Sequence, residues 1–205
     1  MMEDWKPMIL KEDSPPREAL NCDQCGLAEQ HGRFIWGEGN PDAPIFVIMD
    51  NPGAREDREG AAFVCGTRQT LQLGLREAGV ALDEIYVSYL VKRRPVRKYD
   101  KPHAREACLG HLKAQLEEQK PKLLLGLGNV VIQALIAQEE EVKNRRGKWL
   151  EFEGIPIAFS YHPLAVRRRP VLMKHFVNDL KFAASGLSTD TSRPLHTGSS
   201  SHAEV

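Results

Sequence analysis

Cysteine is scarce, neither sign of charge dominates, and no hydrophobic run is long in this 205-residue chain. Four cysteines are too few for a densely disulfide-stapled scaffold. With 28 basic and 28 acidic side chains the formal net charge is zero, which excludes a protein basic over its whole surface. It says nothing about basic charge gathered on one face. No segment approaches the roughly 20 apolar residues that a membrane span needs. The opening stretch, MMEDWKPMILKEDSPPREAL, is acidic and broken by prolines, unlike a secretory signal. The expected compartment is therefore a reducing cytoplasm, where cysteine more often binds metal than pairs in disulfides. What is present is ordinary for a soluble globular domain: 41% hydrophobic and 27% charged residues, in a chain long enough to bury a substantial core.

Apolar runs of strand length recur and alternate with helical patterns. Strands are expected at 45–49, 85–91, 122–127 and 155–160, and helices at 68–78, 104–118, 129–137 and 170–185. Four alternations predict an α/β fold with a parallel sheet covered by helices on both faces. A ligand crevice then lies beyond the carboxyl ends of the strands, on loops 50–66, 92–103, 128–129 and 161–169. Residues 1–40 read as a lead-in carrying a CxxC pair, 1–186 as one domain, and 187–205 as a polar, Ser/Thr-rich disordered tail.

Two stretches hold concentrated positive charge. Residues 91–105 carry seven basic side chains against Asp100, and residues 143–182 carry nine against three acids, each a net +6. Both include loops on the expected ligand side, as a surface meeting a phosphate backbone would. Charge runs that are merely solvated remain the alternative.

Asp50-Asn51-Pro52-Gly53 directly follows an apolar strand, so its polar groups emerge at the crevice. Alone, such a string is an ordinary turn. Together, CDQCGL at 22–27, GEGNPDAP at 37–44, MDNPGAREDREGAAFV at 49–64, VKRRP at 91–95, EACLGHL at 106–112, LLLGLGNVVIQALI at 123–136, RGKW at 146–149 and YHPLAVRR at 161–168 resemble the family 4 uracil-DNA glycosylases, in order, from about Cys22 to Lys181. The resemblance implies a three-layer α/β/α sandwich around a central four-stranded parallel sheet. It also implies an enzyme that flips uracil, or another deaminated base, out of DNA and hydrolyses the N-glycosidic bond. DNA is then the partner of a monomer, with no membrane involved.

By position the resemblance assigns roles. Asp50 or Asn51 orients the attacking water, and the choice between them stays open. His162 donates to the uracil oxygen, Phe63 stacks on the base, and Gly53, Ser88 and Tyr89 border it. Lys92, Arg94, Arg146, Lys148, Arg167 and Arg168 contact DNA, with Val166 in the loop that enters the minor groove. Read without the resemblance, Asp50 caps a turn, Phe63 belongs to the core and His162-Pro163 ends a strand.

Three positions depart from the family pattern. The resemblance implies a [4Fe–4S] cluster held by four cysteines, and Cys22, Cys25 and Cys108 match, but the fourth ligand position is Arg93, which offers only donors. Cys65 lies in the first-motif loop instead, while His103 and His111 are the nearby alternatives as ligands, to zinc or to an incomplete cluster. The balance favours loss of the cluster. The base-reading Asn aligns with Tyr89, and the Ser after His-Pro with Leu164. Three hypotheses follow: a base-excision glycosylase with uracil or altered base preference, a catalytically impaired DNA-binding relative, or a partner-binding relative for which the basic loops are incidental.

Overall fold

The computed structural model describes residues 5–54 and 65–188. In chain order the elements are β1 (Glu12–Asp13), α1 (Arg17–Leu20), β2 (Gly37–Gly39), β3 (Ile45–Met49), α2 (Gly66–Ala78), β4 (Ile85–Tyr89), α3 (Lys101–Gln119), β5 (Leu123–Leu127), α4 (Asn129–Leu135), α5 (Val142–Arg145), β6 (Leu150–Phe152), β7 (Ile155–Ser160), α6 (Pro163–Arg168) and α7 (Met173–Ser188). They build one mixed sheet in the order β1-β2-β4-β3-β5-β7-β6. Its centre, β4-β3-β5-β7, is parallel. The expected four-stranded sheet is thus the core of a seven-stranded one, extended by antiparallel edge strands. Those edges have two or three residues each and include Glu12, Asp13 and Glu38, too short and polar to show a period.

All residues of β3, β4 and β5 are buried, because helices cover both faces. Strand alternation sends Phe46, Ile48, Tyr86, Leu124 and Phe159 to one side, against Cys108, Leu112 and Leu116 of α3 and Val131 and Ile132 of α4. It sends Ile45, Val47, Met49, Val87, Tyr89 and Leu125 to the other, against Leu71 and Leu75 of α2, Val166 of α6 and Phe176, Leu180 and Ala183 of α7. This is a three-layer arrangement. Helix termini follow the sequence: Asp100 caps α3, its Oδ1 accepting from the His103 N–H at 3.1 Å, and Gly79 ends α2 at φ 78°. α7 continues through Leu187 and Ser188, two residues beyond the expected domain end; 189–205 lie outside the described residues. Among the described residues no helix is long and apolar enough to cross a membrane.

Two expected ligand contacts belong to this interior instead. Ser88 and Lys92 are both fully buried, on the α3 side of β4. Lys92 Nζ donates to Ser88 Oγ at 2.6 Å, to the Trp36 carbonyl at 3.4 Å and to Gln115 Oε1. Burial pulls the Lys92 amine down to about 7. Because this lies below the value of an exposed lysine, the energetic penalty is complete below about pH 7 and is relieved as pH rises above it. Lys92 therefore cannot meet a DNA phosphate, nor Ser88 a base. Lys92→Met removes one of two donors to Gln115 Oε1, the other being Ser88 Oγ at 2.7 Å, and is expected to lower stability by about 0.5–1.5 kcal/mol, read from denaturant midpoints.

Candidate active site

The carboxyl ends of β3, β5 and β7 bring together three segments distant in sequence. Asp50 is the first residue after β3, and its carbonyl accepts from the Val91 N–H at 3.0 Å. Gly128 follows β5 with φ 100°, and its N–H donates to the Ser160 carbonyl at 2.9 Å. A Cβ there would lie 3.0 Å from His162 Cβ, so close approach and positive φ both require glycine. His162 leaves β7 and caps α6: the Leu164 N–H donates to His162 Nδ1 at 3.1 Å. The neutral ring consequently carries its proton on Nε2.

His162 Nε2 faces Asp50 Oδ1 at 3.4 Å. That is ion-pair distance without hydrogen-bond geometry, and among the described residues this buried nitrogen has no hydrogen-bond partner. Asp50 is set differently. Burial pushes its carboxyl up, but the His162 ring and the Asn51 N–H, 2.8 Å from Oδ1, outweigh burial and hold it below the ordinary carboxylate range. The Asn51 side chain turns away, its Nδ2 donating to the Pro52 carbonyl at 2.8 Å. An ionised carboxylate and an imidazole N–H therefore share one cleft.

The end of β7 is braced from below. Asp179 of α7 is 4% exposed and accepts from Ser160 Oγ at 2.6 Å, from Arg146 Nε at 2.7 Å and from Arg146 Nη2 at 2.9 Å. The Arg146 guanidinium lies 5.1 Å from the Tyr161 ring centroid. Arg146 is thereby committed to Asp179 and is not a free DNA contact, because a bidentate buried partner outcompetes an exposed phosphate. Asp179 was not foreseen from sequence. Its signal was an acid on the apolar stripe of a helix, between Phe176 and Leu180.

Tyr89 lies on the opposite face from Ser88, 1% exposed, under a buried arginine. Arg68 of α2 donates to Tyr89 Oη at 2.5 Å and to Met49 Sδ at 2.9 Å, and pairs with Glu38. The phenol is thus part of the packing between β4 and α2. Val166, expected at the minor groove, is also core, at 1% exposure. A six-residue helix turns every third or fourth side chain inward, which an extended loop would not. Arg167, Arg168, Arg169 and Lys148 are exposed, Arg94 is half-buried, and Gly53 is half-buried beside Pro52. Phe63 lies outside the described residues.

The cysteines meet only in part. Cys25 and Cys108 are buried and hydrogen-bond each other, which draws the Cys25 thiol down to about 6 and pushes Cys108 up; Cys22 is half-buried. Where the resemblance implies a fourth thiolate, Arg93 donates to the Gly32 carbonyl at 2.6 Å and the Leu20 carbonyl at 3.1 Å, 5.2 Å above the Phe34 ring. His103 Nε2 is engaged with the Gln24 carbonyl, and His111 packs edge-on to Phe34 and Trp36. Cys65 caps α2, accepting from the Arg68 N–H. Among the described residues no group of three His, Cys, Asp or Glu is placed to hold a metal. The residues present do not supply four thiolates, because the fourth position in sequence is an arginine, whose guanidinium is engaged with the Gly32 and Leu20 carbonyls and lacks a lone pair to give.

A three-layer α/β fold thus holds a carboxylate and a histidine together at the ends of its parallel strands, an arrangement suited to acid–base chemistry. The sequence profile of the uracil-DNA glycosylase superfamily matches residues 36–181, and the chain belongs to that superfamily. It is 30% identical over 175 residues to the type-4 uracil-DNA glycosylase of Pyrobaculum aerophilum, covering 81% of this chain and 89% of that protein. Over 175 residues it is 31% identical to the type-4 enzyme of Sulfurisphaera tokodaii, covering 80% and 79%. A DNA polymerase of Bacillus phage SP01 is 27% identical across 80% of this chain, which covers 18% of the polymerase.

Proposed function

We propose that this chain is a base-excision repair glycosylase that hydrolyses the N-glycosidic bond of uracil flipped from DNA, leaving an abasic site. It acts as a cytoplasmic monomer. The observation that carries the reading is the Asp50–His162 pair, in which a buried Nε2–H without a hydrogen-bond partner among the described residues stands beside an ionised carboxylate. As the bond between the base N1 and the sugar C1′ breaks, positive charge grows on the sugar and negative charge on the uracil oxygen. His162 Nε2–H donates to that oxygen, and Asp50 holds the water that adds to C1′ and accepts its proton. Asn51, turned to Pro52, supports Asp50 through its backbone N–H. Phe63 supplies the stacking face, Gly53 keeps the turn open to the base, and Arg94, Lys148, Arg167 and Arg168 meet phosphates.

The buried Tyr89 favours a second reading, in which base preference is altered or catalysis lost while DNA binding remains. A strand-cleavage assay on single- and double-stranded oligonucleotides carrying uracil, hypoxanthine or xanthine separates them. Abasic product from uracil is the expected result. Product from hypoxanthine or xanthine alone would shift the preferred base. No product from any of the three, with salt-sensitive DNA binding retained, would establish the second reading.

A further inference from the structure

We propose that Asp179 and Arg146 are positioning residues, an ion pair that fixes the end of β7 so that the His162 ring stays aimed at Asp50; the inference rests on the glycosylase reading above. The ring itself is lightly held. Its Nδ1 accepts from the Leu164 N–H at 3.1 Å, and its buried Nε2 has no hydrogen-bond partner among the described residues. The donor is therefore only as well placed as the backbone that carries it. Both residues immediately before it are held by the pair. Ser160 Oγ donates to Asp179 Oδ2 at 2.6 Å, and the Arg146 guanidinium lies 5.1 Å from the Tyr161 ring centroid. Arg146 closes the arrangement, donating from Nε to Asp179 Oδ2 at 2.7 Å, from Nη2 to Oδ1 at 2.9 Å and from Nη2 to the His175 carbonyl at 3.0 Å. The Ser160 carbonyl accepts from the Gly128 N–H at 2.9 Å, so the glycine that abuts His162 is tied to the same strand end.

As a source of stability the pair is poor, since desolvating two charges cancels much of their attraction. Asp179 also stands on the apolar stripe of α7, among Phe176, Val177, Leu180 and Ala183, where a hydrocarbon would pack without that cost. What the pair supplies, and a hydrocarbon cannot, is direction. Two parallel N–H bonds fix the distance and angle between guanidinium and carboxylate, and the Ser160 hydroxyl carries that geometry into the strand. A donor displaced by about 1 Å from the reacting atoms costs up to about 100-fold in rate.

Three variants test the pair. Arg146→Lys keeps the charge and loses the fork, Asp179→Asn keeps the shape and loses the charge, and Ser160→Ala breaks only the link to the strand. The first two are expected to lower kcat for uracil release roughly tenfold or more, with KM within about twofold, and Ser160→Ala to lower it about threefold or more. Combining Arg146→Lys with Asp179→Asn adds no more than about twofold to the larger single loss, because the pair acts as one unit. The salt dependence of DNA binding stays that of the wild type, since no phosphate contact is removed. A measurement independent of cleavage is a carbon NMR titration of the Asp50 carboxyl, whose midpoint moves up in the variants as the His162 ring leaves it. Unchanged kcat with only a lowered melting temperature would make the pair structural and overturn the proposal. A shallower salt dependence for Arg146→Lys with kcat unchanged would do the same, by making Arg146 a phosphate contact. If the wild type releases no uracil, the glycosylase reading falls, and an Asp50 midpoint unmoved in all three variants would separately overturn the positioning of His162.

Discussion

Replacing His162 with alanine lowers the turnover of uracil release by about 10²–10³-fold, the usual loss when one pre-positioned donor to a developing oxyanion is removed. Asp50→Asn has an effect of roughly 10²–10⁴-fold, since water positioning and proton acceptance go together. Asn51→Ala changes turnover far less, because its amide is occupied by the Pro52 carbonyl. The pH profile distinguishes these roles from structural damage. Asp50 is held below the ordinary carboxylate range chiefly by His162, against burial. The wild-type acid limb therefore falls below that range, and activity is lost as pH drops through the depressed value. In His162→Ala burial is opposed only by the backbone N–H groups at Asp50 and Asn51, so the acid limb of the residual activity moves up. The sign for stability is the same: the contribution of the pair is present above the ordinary carboxylate pKa and disappears as pH falls through the lowered one. Steady-state rates from acid to neutral pH check both statements, and an acid limb unmoved by His162→Ala would separate Asp50 from His162.

The second large effect concerns metal. Protein purified anaerobically is expected to be colourless and to hold far less than the about four iron atoms per chain of a complete cluster. Arg93→Cys supplies the missing thiolate beside Cys25 and Cys108, and iron should then be retained after anaerobic reconstitution. Arg93→Ala instead removes the two hydrogen bonds that tie Leu20 and Gly32 to the exit of β4. It is expected to cost about 1–3 kcal/mol in thermal or denaturant unfolding. Iron analysis and colour read the first two outcomes. A full iron complement in the wild type would show that Arg93 swings away and another ligand enters.

Much of this was legible beforehand. The runs at 45–49 and 155–160 are strands with those bounds, and 129–135 is helical where 129–137 was expected. Continuous apolar runs identify buried strands because no partner is needed to interpret them. The loops carrying Asp50, Gly128 and His162 followed, since parallel strands emit their C-terminal loops at one edge. The edge strands did not: β2 and β6 form on the unpaired backbone of β4 and β7, and β1 in turn on β2.

Net charge and cysteine count illustrate the same division. The sequence alone determined that two cationic segments are balanced by acids elsewhere, that an arginine stands where the resemblance implies a fourth thiolate, and that an α/β sheet carries an acid and a histidine at the ends of its strands. Only the tertiary structure decided which cations remain available. Lys92 is buried on Gln115 and Arg68 over Tyr89, and Arg146 is held by Asp179, whereas Arg167, Arg168 and Arg169 stay at the surface. The same packing withdrew Val166 and left Leu164 exposed. Composition counts charges and apolar groups, but their function depends on which are desolvated, and desolvation is a property of neighbours brought together across the fold.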